Sequence, residues 1–258
     1  MTTPPDASST SLAERLGVRA VTAPVKSVET LSPSLAAVTL SVPDIAIAGV
    51  PGNDVMISIA KLDGSLARRR YSVRSTNAEE STVTFWVTTH HDGLASEWLR
   101  SATPGAQTDL VGPRGKIVLD PLADWYLFVG EISALGAFYN LAEAIETPGK
   151  AIFIVEVPEA TDIVTTSFDS GLGVTGIFIE RQGRAPSDAE GILRGLAAFE
   201  FPEGHGHAYL FGEFSQIKAA KLALLDRGLT EDQISSKAFW RQGKANQDHG
   251  EPDKTSDS

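Results

Sequence analysis

The chain contains no cysteine. That absence excludes disulfides, thiolate nucleophiles, cysteine-ligated zinc and cysteine-held iron–sulfur clusters within this chain. Basic charge is also scarce: 22 Lys and Arg stand against 33 Asp and Glu, a formal net charge of −11. So acidic a surface disfavours the phosphate backbone of nucleic acid and anionic lipid headgroups, and neither is expected as a partner. No apolar run approaches the length of a membrane-spanning helix. The opening "MTTPPDASSTSLAER" has neither the basic start nor the apolar centre of a signal peptide. The expectation is a cytoplasmic protein, acting as a monomer. There is no G-x-G-x-x-G, no Walker A pattern and no G-x-S-x-G elbow, and no Ser-His-Asp ordering stands out. Histidines number five, and the one metal-like spacing, His205-Gly-His207, has no companion ligands, so no metal site is expected. Redox chemistry would therefore need a bound organic cofactor.

What is present falls into two rhythms. Residues 17–120 hold short runs rich in Val, Thr and Ile, among them "LAAVTLSV", "DVMISIA", "YSVRS" and "TVTFWVTTH", separated by Gly, Pro, Asn and Asp. Six such strands predict an antiparallel barrel or sandwich, with one short helix at "LASEWLRSA". Residues 121–244 alternate instead. "WYLFVGE", "AIFIVEV", "VTGIFIER", "HAYLFGE" and "SSKAFWRQG" read as strands. Between them, "SALGAFYNLAEAIE", "SDAEGILRGLAAFE" and "SQIKAAKLALLDRG" read as helices. Ser133 is the expected cap of the first, Ser187 or Asp188 of the second, and Gly228 closes the third. Apolar strands alternating with helices predict a parallel sheet covered on both faces. The polar tails, 1–16 and 245–258, are expected to be disordered.

The densest chemistry lies at "RRRYSVRS", 68–75. Strand alternation puts Arg69 and Tyr71 on one face, and Arg70, Ser72 and Arg74 on the other. A flat ring beside two guanidiniums and a hydroxyl suits a planar cofactor that carries phosphate. The same residues suit a basic hairpin flank with a half-buried tyrosine. Residues 90–98, "HHDGLASEW", offer a flexible Gly93 followed by a helix start, where free N–H groups and Ser96 could hold an anion. An ordinary strand–helix connection reads no differently. In "FVGEISALGAF" a strand runs through Gly130 into a helix, a common nucleotide position in α/β proteins. Glu156 closes the next strand, where an acid can bond a ribose hydroxyl or stand in solvent. Arg181 and Arg184 are alternative partners for a 2′-phosphate.

Taken in order, these pieces resemble the siderophore-interacting protein family, FAD-dependent ferric-siderophore reductases among the ferredoxin–NADP reductase-like flavoproteins. The resemblance covers about residues 18–244. The R-x-Y-S/T-x-x-S/T strand is matched by Arg69, Tyr71, Ser72 and Ser75, and the family's R-x-Y-T-x-R by Arg69, Tyr71, Ser72 and Arg74. H-G-x-G-P-A-S-x-W is matched by His90, Gly93, Ala95, Ser96 and Trp98, with His91 and Leu94 departing. Gly112, Pro113, Arg114 and Gly115 match a following turn, and Phe239, Trp240, Arg241 and Gly243 a terminal Y-W-R-x-G. One segment departs: G-D-E-T-A-L-P-A becomes "GEISALGA", which leaves Glu131 of the acid pair and puts Gly136 in place of proline.

The resemblance implies a fold and a set of roles. The fold is a six-stranded FAD-binding barrel at 17–120 and an α/β NAD(P)H-binding domain at 121–244. Tyr71 and Ser72 would face the reacting ring, with Arg69, Val73, Arg74, His90, Gly93, Ala95, Ser96 and Trp98 as further FAD contacts. Gly130, Glu131, Ser133, Ala134 and Trp240 would line the cofactor from the second domain. NADH or NADPH would be the electron source and a ferric siderophore the acceptor, with Lys61, Arg68, Arg241 and Lys244 drawing in that anionic substrate. The other readings are a flavin reductase with a different acceptor, and a flavin- or siderophore-binding protein without turnover.

Overall fold

A computed structural model describes residues 20–42, 50–60, 65–89, 94–115, 117–147, 149–164 and 173–244. The tails, Lys61 and the segment holding His90, His91 and Gly93 lie outside the described residues.

Six strands close into a barrel. They are β1 (Ala20–Ser32), β2 (Leu35–Ser41), β3 (Asp54–Ala60), β4 (Leu66–Asn77), β5 (Thr82–Thr88) and β6 (Gln107–Arg114). Their spatial order is β1-β2-β5-β4-β3-β6, with β6 returning to β1. The period-2 pattern explains the closure. In β5, Val83, Phe85 and Val87 are buried while Thr84, Trp86 and Thr88 are only partly so. With Val38, Leu40, Ile57, Val73 and Leu110 they fill the interior. Helix α1 (Leu94–Ser101) lays Leu94, Trp98 and Leu99 against that core.

The second half is a five-stranded parallel sheet of order β11-β10-β7-β8-β9. Its strands are β7 (Trp125–Glu131), β8 (Ala151–Val157), β9 (Thr175–Glu180), β10 (Gly206–Glu213) and β11 (Ile234–Trp240). Every residue of β7, β8 and β10 is buried, as central strands covered on both faces must be. One face packs Phe128, Phe153, Tyr209 and Phe211 against Phe138 of α2 (Leu135–Ala142). The other packs Leu127, Val129 and Ile154 against Leu196 of α3 (Glu190–Ala198) and Leu224 of α4 (Phe214–Asp226). Chain order reverses between β7 and β10, so a crevice opens beyond their carboxyl ends.

The helix starts differ from the sequence expectation. Ser133 does not cap α2; Ala134 stands there without a side-chain bond. Buried Glu131 instead accepts from the Ser133 backbone N–H and hydroxyl, holding a 3₁₀ turn before the helix. In α3 the cap is Ala189, while Asp188 accepts from the Glu190 N–H at 2.8 Å. In α4 the cap is Glu213, which accepts from Ser215 and Gln216. Gly228 does follow α4, with φ +99°.

Polar ties lock the two halves together. Asp162, 1% exposed, accepts from the Ser34 N–H and from both the Ser32 and Ser34 hydroxyls at 2.8–3.0 Å. Asn140 of α2 accepts from the Gly52 N–H and donates to the Arg74 carbonyl. On the connecting segment, Asp120 stands 3.2 Å from both His205 and His207, and His207 also bonds Ser235 at 2.9 Å. The connector thus braces the amino end of the sheet, away from the crevice.

That brace gives a pH dependence. Burial holds the His207 pKa below its ordinary 6.5, with Asp120 partly opposing. The unfolded chain therefore takes up this proton at higher pH than the folded one, and stability falls as pH drops below about 6.5. Thermal unfolding between about pH 7 and pH 5 should show that loss, and His207→Gln should flatten the slope over the same window.

Candidate active site

The barrel side of the crevice is built on β4. β3 pairs with it in the register Ile57–Arg69, Val55–Tyr71 and Asp54–Ser72. The Tyr71 ring stacks on Phe85, centroids 4.9 Å apart, and Phe85 stacks in turn on Trp98 at 6.2 Å. Phe85 thus supports one face of a half-buried tyrosine ring. Burial pushes the Tyr71 hydroxyl far up and the Arg69 cation beside it pulls back, so the phenol stays protonated at neutral pH. Arg69 bonds the Arg68 carbonyl at 2.8 Å.

Arg74 does not join this group. Val73 pairs with Phe85 but Ser75 with Thr84, so a bulge at Arg74 breaks the alternation used to place it. Its guanidinium makes a bidentate pair with Glu143, at 2.8 and 2.6 Å, and lies over the rings of Trp86 and Tyr139. Arg74 is therefore a tie between the halves. Val73 is 2% exposed in the barrel core and spends its N–H on the Asn53 carbonyl. Trp98 packs toward the same core, while Ala95 and buried Ser96 occupy the first turn of α1.

The sheet side is the row of carboxyl ends. Gly130 is the last residue but one of β7, and a Cβ there would stand 1.9 Å from the Phe211 carbonyl oxygen, so no side chain fits. Gly212, at φ +133°, lets β10 pass close to the Glu131 carboxylate. Glu131, with no exposure, also accepts from the Trp240 indole at 3.0 Å. It fixes the tryptophan at the end of β11. Ala134 is fully buried. Gly136 meets Trp86, a Cβ there being 3.3 Å from the Trp86 Cβ, which is how α2 sits close on the barrel.

Glu156 is neither solvated nor open to a ribose. It has no exposure and bonds Arg181 at 2.9 Å and Gln216 at 2.8 Å, with Arg184 at 3.4 Å. None of the cations expected to draw in substrate is bonded to Glu156 among the described residues. Arg68 and Lys244 are exposed, and Arg241 lies over the Phe214 ring at 4.6 Å. Lys237, which the sequence reading passed over, reaches from β11 to Asp54 of the barrel at 2.7 Å.

A closed barrel whose β4 carries Arg-x-Tyr-Ser, joined to a 3-2-1-4-5 parallel sheet, is the ferredoxin reductase-like fold. Residues 22–119 match the oxidoreductase FAD-binding domain, and residues 123–243 match the siderophore-interacting protein family. The second half of the chain thus carries the siderophore-interacting protein match and the first half the FAD-binding match. The ferric vibriobactin reductase ViuB of Vibrio cholerae is 25% identical over 182 residues, 68% of this chain and 65% of its own length. A siderophore utilization protein from T. fusca superposes with a TM-score of 0.79 at 26% identity, covering 90% of this chain and 96% of that one. The siderophore-interacting protein SipS from Aeromonas hydrophila shares the fold at a TM-score of 0.74 and 21% identity, over 88% and 93% of the two chains.

The residues present suit FAD. A ring-stacking tyrosine, a hydroxyl and a guanidinium follow one another on β4, and a helix start with a buried serine stands next to the barrel.

Proposed function

We propose that this protein is an FAD-dependent reductase that takes electrons from NADH or NADPH and delivers them to Fe(III) in a siderophore. Arg69 would hold the flavin phosphates and Tyr71 would lie along the ring. Ser72 would donate to a ring acceptor, and Ser96 with the α1 N–H groups would take the remaining phosphate charge. Bound FAD supplies the conversion between a two-electron hydride donor and one-electron acceptors. No side chain has to act as acid or base. Two ferric ions take the two electrons of one NAD(P)H, and the resulting Fe(II) is held far less firmly by hard oxygen ligands. Trp240, pinned by Glu131, would border the crevice entrance. Arg68, Arg241 and Lys244, with Lys61, would attract an anionic ferric siderophore. The same reading sets the protein in the cytoplasm as a monomer with no nucleic-acid partner.

The observation that carries this proposal is the placement of Arg69, Tyr71 and Ser72 on one strand of a matched FAD-binding barrel, joined to a matched siderophore-interacting domain. Anaerobic mixing of the purified, FAD-loaded protein with NADH or NADPH should bleach its flavin absorbance. Adding ferric siderophore should restore the absorbance while a ferrous chelator captures iron. If neither nucleotide bleaches the flavin, the reductase reading fails. Arg241→Ala with Lys244→Ala should raise KM for the siderophore and weaken its dependence on salt.

A further inference from the structure

We propose that Asp54, Arg114 and Lys237 form a charged cluster that receives the polar edge of the flavin ring and sets its reduction potential; this rests on the flavin reading above. β4, β3 and β6 are neighbours in the barrel. Asp54 pairs directly with Ser72 on one side and with Arg114 on the other. Cross-strand partners share a face, so Ser72, Asp54 and Arg114 form one row. From the opposite half, the Lys237 ammonium donates to Asp54 Oδ2 at 2.7 Å.

The row is incomplete. Asp54 is 4% exposed, and its Oδ1 has no hydrogen-bond partner among the described residues. Arg114 Nε stands 3.8 Å from that oxygen, beyond hydrogen-bonding reach, and Arg114 Nη2 is likewise buried and unpartnered. Leaving such groups unsatisfied is costly, and folded proteins rarely do so. An unused acceptor next to an unused donor selects a ligand that presents an N–H beside a carbonyl. That is an imide edge, the chemistry of the flavin pyrimidine ring. A phosphate would satisfy the guanidinium but would meet the Asp54 carboxylate. Two cations facing one carboxylate leave the cluster net positive. Reduction adds negative charge to that edge of the ring, so the cluster favours reduced over oxidised flavin.

The test is a signed one. Midpoint potentials of FAD-loaded variants are measured anaerobically, beside FAD Kd and thermal unfolding. Lys237→Gln and Arg114→Gln each remove a cation and should lower the potential. Asp54→Asn removes the anion and should raise it. Lys237→Arg should stay near the parent. The expected size is a tenfold change in the preference for reduced flavin, about 30 mV for a two-electron couple. General loosening of the two halves would move all the neutralising variants the same way. Shifts of one sign, or unchanged potentials with only lower thermal stability, overturn the proposal and leave a water-filled tie between the halves. A parent protein that binds no FAD overturns the flavin reading and this proposal with it.

Discussion

Glu156→Leu should lower the stability of the protein by about 3–5 kcal/mol, the cost of breaking a buried ion pair from one side. Glu156 has no exposure, and the Arg181 side chain is 7% exposed. With the carboxylate gone, Arg181 Nε and Gln216 Nε2 lose a shared acceptor, and Arg184 faces Arg181 with nothing between them. Relaxation is hindered from above. A Cβ on Gly191 of α3 would stand 2.6 Å from Arg184 Nη2 and 2.7 Å from Glu156 Oε2, so the helix already lies against the cluster. The stranded guanidinium therefore stays buried, which is the expensive outcome. Glu156→Gln keeps shape and one acceptor and should cost less. Glu156→Leu with Arg181→Met removes the uncompensated charge and should recover much of the loss. Urea unfolding of the three variants checks the order. A loss under about 1 kcal/mol for Glu156→Leu would mean that water reaches the cluster.

The same cluster shows where sequence reading stops. The two rhythms were readable because burial leaves a period. Barrel strands alternate, as in Val83, Phe85 and Val87, and central parallel strands such as "AIFIVEV" are apolar throughout. Motif spacing then placed Arg69, Tyr71 and Ser72 on one strand. Serine is a preferred cap, which is why Ser133 reads as the start of α2, yet buried Glu131 at the end of β7 takes the Ser133 N–H and holds a 3₁₀ turn there instead. Glu156 was misjudged for a related reason. Its partners lie 25, 28 and 60 residues away, and pairing of that kind has no local signature. Lys237 bonds Asp54 across 183 residues. A lysine in a strand between Ser236 and Ala238 was a signal, but only the packing of β11 against the barrel says what it meets. The departure at "GEISALGA" has a physical account too: Glu131 anchors Trp240 and Ser133, and Gly136 lets α2 approach Trp86.

Arg69→Ala and Arg74→Ala, which the motif treats alike, should fail in different ways. Arg69 sits on the face of β4 that carries Tyr71, and its charge reaches the Tyr71 hydroxyl. If it holds a flavin phosphate, its loss removes charge-assisted hydrogen bonds of about 1.5–3 kcal/mol, raising the FAD Kd by about 10- to 100-fold. The comparison to make is with the apo fold, where Arg69 bonds the neighbouring Arg68 carbonyl and is partly exposed. Arg74 is the reverse. Its guanidinium is committed to Glu143 and lies over Trp86 and Tyr139, joining β4 to α2. Truncation strips that packing and the bidentate pair, but Glu143 is 41% exposed and can be rehydrated. The expected loss is about 1–3 kcal/mol of stability, with FAD Kd changed less than threefold in protein that remains folded. FAD titration by fluorescence quenching and urea unfolding, run on both variants, separate the two effects. If Arg74→Ala weakens FAD as much as Arg69→Ala does at temperatures where both are folded, the bulge does not take Arg74 away from the cofactor. The motif's reading of the arginine would then stand over the geometric one.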